Sequence, residues 1–103
     1  MAQSKSKKDV VWGLFEWSSE KELLNVSKHK LDFKDGAVTF LDPDRLIIED
    51  IEHSNSEDRF YCIGRTPKGI LTARFTPRGN KIRIIGVGAW RKGKAIYEEK
   101  NKK

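Results

Sequence analysis

Apolar residues fall into short runs along this chain, and their period changes from one run to the next. VVWGLFEW (residues 10–17) is dense in β-branched and aromatic side chains and reads as a strand. Ser19-Glu20-Lys21-Glu22 then has the pattern of a capping box, with Ser19 as N-cap and Glu22 at the third helical position. A helix through about Lys28 is expected, carrying a short stripe of Leu23, Leu24 and Val26. Asp32 can cap a second short helix from Phe33 to Phe40, because Phe33, Ala37 and Phe40 share one helical face. Asp42-Pro43 stops it, since the residue before proline is pushed out of helical space. RLIIED (45–50) is a strand candidate, and IEHSNSED (51–58) an acidic loop.

Three runs follow: RFYCIGRT (59–66), ILTARFT (70–76) and KIRIIGV (81–87). Pro67-Lys68-Gly69 and Pro77-Arg78-Gly79-Asn80 separate them, which predicts consecutive hairpins. A last helix spans Arg91 to Lys100, with Ala95, Ile96 and Tyr97 as its apolar members. The expected fold is α+β: an antiparallel sheet of about four strands, two N-terminal helices and one C-terminal helix.

Side chains alternate across a strand. Phe60, Cys62, Gly64, Leu71, Ala73, Phe75, Ile82 and Ile84 then share an apolar face. Arg59, Arg65, Arg74, Lys81 and Arg83 share the other, with Tyr61 and Thr72 among them. Two-residue hairpins centred on Pro67-Lys68 and Arg78-Gly79 would set Tyr61 opposite Arg74, and Arg74 opposite Arg83. Like charges directly across a ladder destabilise it by up to ~1 kcal/mol. A bound phosphate, or a partner's carboxylate, would relieve that cost; pairing with Glu49, Asp50 or Glu57 is the alternative within the chain.

Charge sharpens the same picture. The net charge of +6 is unevenly spread. Residues 1–8 form a basic arm, expected to be disordered, with three lysines. Residues 9–58 carry 13 acidic against 5 basic side chains, and residues 59–103 carry 13 basic against 2 acidic. A one-sided positive field of this kind suits a polyanion or an acidic partner. At 103 residues, a single domain over 9–103 is expected. One cysteine, Cys62, and two histidines, His29 and His53, argue against a disulfide or a dedicated metal site, and no cofactor is expected. No apolar run approaches the ~20 residues of a membrane span, and MAQSKSKK lacks the apolar segment of a signal peptide. A soluble, cytoplasmic protein is expected.

RNA cleavage without a metal requires four things: a base for the 2′-hydroxyl, an acid for the 5′-oxygen, cations for the phosphorane and a grip on the nucleotides. Arginine forks suit the phosphorane, an imidazole suits the proton transfers, and an aromatic ring stacks a splayed base. His29 follows Lys28 at an expected helix C-terminus, where a cation also complements the dipole. His53 lies in a polar loop, and Cys62 falls on the apolar face. Trp90, unlike Trp12 and Trp17, adjoins basic residues. No glycine-rich phosphate loop, Ser/His/Asp arrangement or paired-carboxylate spacing stands out.

Phe15-Glu16-Trp17, Lys21, Asn25, Lys28-His29 and Phe33 resemble the opening F-E-W-D-x-x-K-x-x-x-N-x-x-K-H-G-x-x-F of the BrnT family. His53-Ser54, Glu57-x-Arg59 and Gly64-Arg65 resemble its middle; Ile82-Arg83-Ile84-Ile85 and Tyr97-Glu98 resemble its end. The resemblance covers about residues 14–99. It implies a bacterial type II toxin, a small ribonuclease of RelE-like fold that inhibits translation. It also implies a BrnA-type antitoxin covering the arginine-bearing face, a possible homodimer within that complex, and operator DNA bound only through it. The candidate catalytic residues are Arg59, Arg83, His29 and Lys28; the candidate RNA-binding residues are Arg65, Arg74, Lys81, Trp90, Arg91, Lys92 and Tyr97. A non-catalytic RNA- or antitoxin-binding module of the same fold is the alternative. The chain departs from the family pattern at Ser18 (usually Asp) and Lys30 (usually Gly). Gly86-Val87-Gly88 stands where many members have Ser-Ala-Arg, and Lys94-Ala95 where they have Glu-Arg.

Overall fold

The structure, a computed structural model, describes residues 8–102; nearly all of the expected basic arm lies outside them. Within that range the fold is α+β. Strands β1 (Asp9–Trp12), β2 (Phe15–Ser18), β3 (Leu46–Glu49), β4 (Phe60–Thr66), β5 (Gly69–Arg78) and β6 (Lys81–Gly88) form one sheet in the order β1-β2-β6-β5-β4-β3. Helices α1 (Ser19–His29), α2 (Phe33–Val38) and α3 (Arg91–Asn101) flank it. The sheet therefore has six strands rather than about four. It is mixed rather than antiparallel, because β2 runs parallel to β6.

The first apolar run is two strands, not one. Gly13 takes φ +63°, which turns the chain and pairs Trp12 with Phe15. Ser18, not Ser19, caps α1 by accepting from the Lys21 N–H at 3.3 Å. Glu22 does not close a capping box with Ser19. Its carboxylate instead accepts from the Trp17 indole and from the Phe33 N–H, both at 3.0 Å, tying β2, α1 and α2 together. Asp32 caps α2 as expected, in a reciprocal capping box with Asp35. The α-helix ends at Val38, and a 3₁₀ turn, Thr39–Leu41, completes the segment before Pro43.

The Pro67-Lys68 hairpin has the expected register, with Thr66 opposite Gly69 and Tyr61 opposite Arg74. The next hairpin does not. Arg78 pairs with Lys81, so its loop is Gly79-Asn80. Between Arg74 and Phe75 the register then shifts, leaving Ile85 as the extra residue of a bulge. The shifted turn sets Arg83 opposite Thr76, and the bulge sets Arg74 opposite Gly86. The expected Arg74–Arg83 opposition does not occur.

Trp17, Phe33, Ala37, Cys62, Leu71, Ala73, Phe75, Ile84 and Val87 fill the main core between one sheet face and α2. Burial pushes the Cys62 thiol up to about 11, so this cysteine is a packing group. On the opposite face α3 covers the β3–β4–β5 side through Ile63, Ile70 and Tyr97. The Tyr97 hydroxyl donates to Asp42 at 2.6 Å, anchoring this helix. The part of that face nearest α1 is left open, and the site lies there.

β2 is too short to pair with all of β6, and a side chain takes its place. Asn25 accepts from the Val87 N–H at 3.0 Å and donates to the Val87 and Leu31 carbonyls, each at 2.9 Å. Its amide acts as one more peptide unit along the β6 edge, which fixes α1 beside the sheet.

Candidate nucleic-acid interface

Lys21, Asn25 and Lys28 recur on one face of α1 at four- and three-residue spacings. Because Asn25 is bonded to β6, that face is held toward the sheet. A cleft of about 300 Å³ lies between them. Lys21, Lys28 and His29 line it from α1, and Arg59 and Arg74 from the sheet. Ile85 and Gly86 lie at the bulge, and Trp90 closes one end. No carboxylate lines the cleft.

The two arginines are held differently. Arg59 donates to Glu57 at 3.3 Å, and Glu57 also accepts from Arg78 at 3.1 Å. Arg78 first, and Arg59 with it, hold the Glu57 carboxyl below its ordinary range despite partial burial. The Nε of Arg59 is buried with no partner among the described residues. Arg74 makes no salt bridge among the described residues; its neighbours are Tyr61, across the ladder, and the buried Asp50. Burial pushes the Asp50 carboxyl up, but His53 (2.8 Å) and Tyr61 outweigh it and hold the group below its ordinary range.

Trp90 is placed by a missing side chain. A Cβ on Gly88 would lie 2.5 Å from the indole Cε2, so the ring rests on the bare backbone of β6. The His29 ring meets Trp90 edge-on, with centroids 5.6 Å apart. Gly86 differs: a Cβ there would stand 3.7 Å from Asn25 Oδ1 and 3.8 Å from Arg74 Nη1, which is ordinary contact.

Of the candidate residues, Lys28, His29, Arg59, Arg74 and Trp90 converge on this cleft. The others lie elsewhere. Arg83, with its side chain only 16% exposed, donates to Glu16 at 2.9 Å and to Asp9 at 3.1 Å. Those carboxylates outweigh the effect of burial and raise its pKa above the ordinary arginine value. Lys81 reaches the Gly13 carbonyl at the far end of β6. Tyr97 is buried, with the exposed Arg65 5.8 Å above its ring. Arg91 and Lys92 are exposed at the start of α3. Lys21 and Asn25 complete the cleft without having been singled out as site residues; the four- and three-residue steps to Lys28 were the available signal.

No group of His, Cys, Asp and Glu among the described residues is arranged to hold a metal ion. No helix among them is long and apolar enough to cross a membrane. No curated protein matches the chain. Residues 17–93, which include α1, every cleft residue and all strands from β3 to β6, match the family described as the ribonuclease toxin BrnT of type II toxin–antitoxin systems. The chain therefore belongs to the BrnT family of ribonuclease toxins.

Proposed function

We propose that this toxin is a metal-independent endoribonuclease of RelE-like fold that cuts mRNA in the cytoplasm and so inhibits translation. A BrnA-like antitoxin neutralises it by covering the cationic cleft. The observation that carries this reading is the convergence of Lys21, Lys28, His29, Arg59 and Arg74 around one cleft without a carboxylate. Such walls attract phosphate and repel a divalent cation.

In this mechanism Arg59 and Arg74 straddle the scissile phosphate. Arg59 lines the cleft, and its guanidinium can donate to a phosphate oxygen there. Lys21 and Lys28 hold the flanking phosphates, and Arg91 and Lys92 extend the positive surface. The 2′-oxygen attacks phosphorus and loses its proton, the P–O5′ bond breaks, and the 5′-oxygen gains a proton. The products are a 2′,3′-cyclic phosphate and a 5′-hydroxyl. His29 is the imidazole on the cleft wall and the candidate for the proton transfers. The two guanidinium groups stabilise the extra charge of the pentacoordinate phosphorus.

The test is expression without antitoxin, followed by RNA gels and end-group analysis. Growth arrest with fragments ending in cyclic phosphate is expected, unchanged by chelator in the purified reaction. Arg74→Ala should abolish it. Intact RNA and normal growth at full soluble expression would sink the enzymatic reading. Salt-sensitive RNA binding without cleavage would favour the binding module instead.

A further inference from the structure

A second cavity, of about 520 Å³, lies on the other side of Trp90, between α3 and the β3–β5 part of the sheet. Ile48, Ile63 and Ile96 give it apolar walls. Tyr61, Thr72 and Lys92 supply the polar atoms at its edge. Apolar walls with a few placed polar groups, at this volume, are typical of a site for a flat organic ligand. Of its lining residues, the mechanism above uses only Lys92, as part of the surrounding positive surface.

Its position relates it to the cleft. Trp90 lines both cavities. Tyr61, on the wall of this one, pairs directly across the ladder with Arg74, on the wall of the other. Directly opposed residues in an antiparallel pair stand about 5 Å apart, within the reach of one nucleotide. A strand with its phosphate on Arg74 thus presents a neighbouring base to the apolar cavity. Single-stranded RNA is commonly bound in this way, with the backbone on cations and unstacked bases against aromatic rings.

We propose that the cavity between α3 and β3–β5 is a nucleobase subsite, in which Trp90 and Tyr61 hold the base of a nucleotide next to the phosphate at Arg74. The proposal rests on the cleft being an RNA site. Lys92 and Thr72 are the lining residues beside Tyr61 that carry hydrogen-bond donors.

The experiment is an abasic scan. Short, unstructured 2′-O-methyl oligoribonucleotides, which lack the attacking hydroxyl, are bound to the full chain, and each position is made abasic in turn. One position should lose about tenfold in affinity, in keeping with the loss of one stacked base. Ile48→Trp, which fills the cavity from β3 without touching the cleft, should weaken the intact oligonucleotide to the abasic level and make all positions equivalent. The salt dependence of its binding should persist, and a thermal melt checks its fold. The wild-type scan needs no variant and stands alone if Ile48→Trp misfolds. Salt-sensitive binding with no position sensitive to base removal overturns the subsite and leaves the cleft standing. Absence of salt-sensitive RNA binding overturns both.

Discussion

Arg83 and Arg74 look interchangeable in the sequence, yet the structure sets them in separate surroundings, and a paired substitution can tell apart the roles proposed for them. Arg83→Met keeps the length of the side chain and removes its charge. The lost contacts are two carboxylates: Glu16 at 2.9 Å and Asp9 at 3.1 Å, with side chains 18% and 35% exposed. Asp9 and Glu16 lie on neighbouring strands, since Asp9 pairs with Ser18 and Val11 with Glu16. Removing the guanidinium leaves two like charges facing each other, half-buried. Breaking a fully buried pair costs about 3–5 kcal/mol, and an exposed one about 0.2–1 kcal/mol. This intermediate site should cost about 2 kcal/mol. Urea unfolding should then show a midpoint lowered by roughly 1 M at unchanged slope. RNA affinity, measured where the variant is still folded, should stay within about twofold of wild type, because Arg83 lies outside the cleft. Arg74→Ala, with no ion pair to break, should leave the midpoint nearly unmoved and weaken RNA binding at least about tenfold. A stable Arg83→Met that loses RNA binding would refute the separation.

Asn25→Ala removes three hydrogen bonds and strands the amide and carbonyl of the buried Val87; a loss of about 3 kcal/mol is expected in the same urea assay. Lys30 ends α1 at φ +60°, the left-handed region that costs a side-chain-bearing residue about 1 kcal/mol. Lys30→Gly should therefore raise Tm by roughly 5 °C in a thermal melt. Asp42, Asp50 and Glu57 are all held below their ordinary values in the folded chain. As pH falls, the unfolded chain takes up protons first, so their stabilisation is complete above about pH 4–5 and is lost as pH drops through the native values. Tm should decline over that acid range, and Asp42→Asn, which also weakens the Tyr97 anchor, should flatten the decline while lowering Tm near neutrality.

What the sequence made legible was local. The Asp32 cap, the stop at Asp42-Pro43 and the Pro67-Lys68 hairpin follow from short-range stereochemistry, and all three are present. The Tyr61–Arg74 pairing follows from that turn and from strict alternation. The rest depended on partners distant in the chain or on one residue of slippage. Gly13 inside a strand-like run was the sign of a turn, but composition alone favoured one strand. Nothing local to Phe15-Glu16 announces a parallel partner at Ile82-Arg83. The hairpin loop at Gly79-Asn80, one residue later than expected, took Arg83 away from Arg74, and the bulge at Ile85 then broke the alternation. Acids do neutralise Arg83, but they are Asp9 and Glu16, while Asp50 serves His53 and Glu57 serves Arg59 and Arg78. The cleft was legible as a basic face, but its outline was not, because α1 owes its position to the hydrogen bonds of Asn25 with an edge 62 residues away.

The two glycines that set this chain apart from the pattern it resembles have different consequences, and the difference bears on how its cleft is built. At Gly86 a side chain fits, so its absence only widens the space between Asn25 and Arg74. At Gly88 the indole of Trp90 already occupies the place where a side chain would start. A residue such as arginine at position 88 and a tryptophan at position 90 in this pose exclude each other sterically. A charged side chain at position 88 would displace the ring that ends the cationic cleft and walls the apolar cavity. The cleft also does not depend on a cation at position 88, because Lys21, Lys28, Arg59 and Arg74 approach from α1, β5 and the residue just before β4. At the end of β6 the bare backbone of Gly88 is thus a geometric requirement of the Trp90 pose, and the positive charge of the cleft comes from the cations around it.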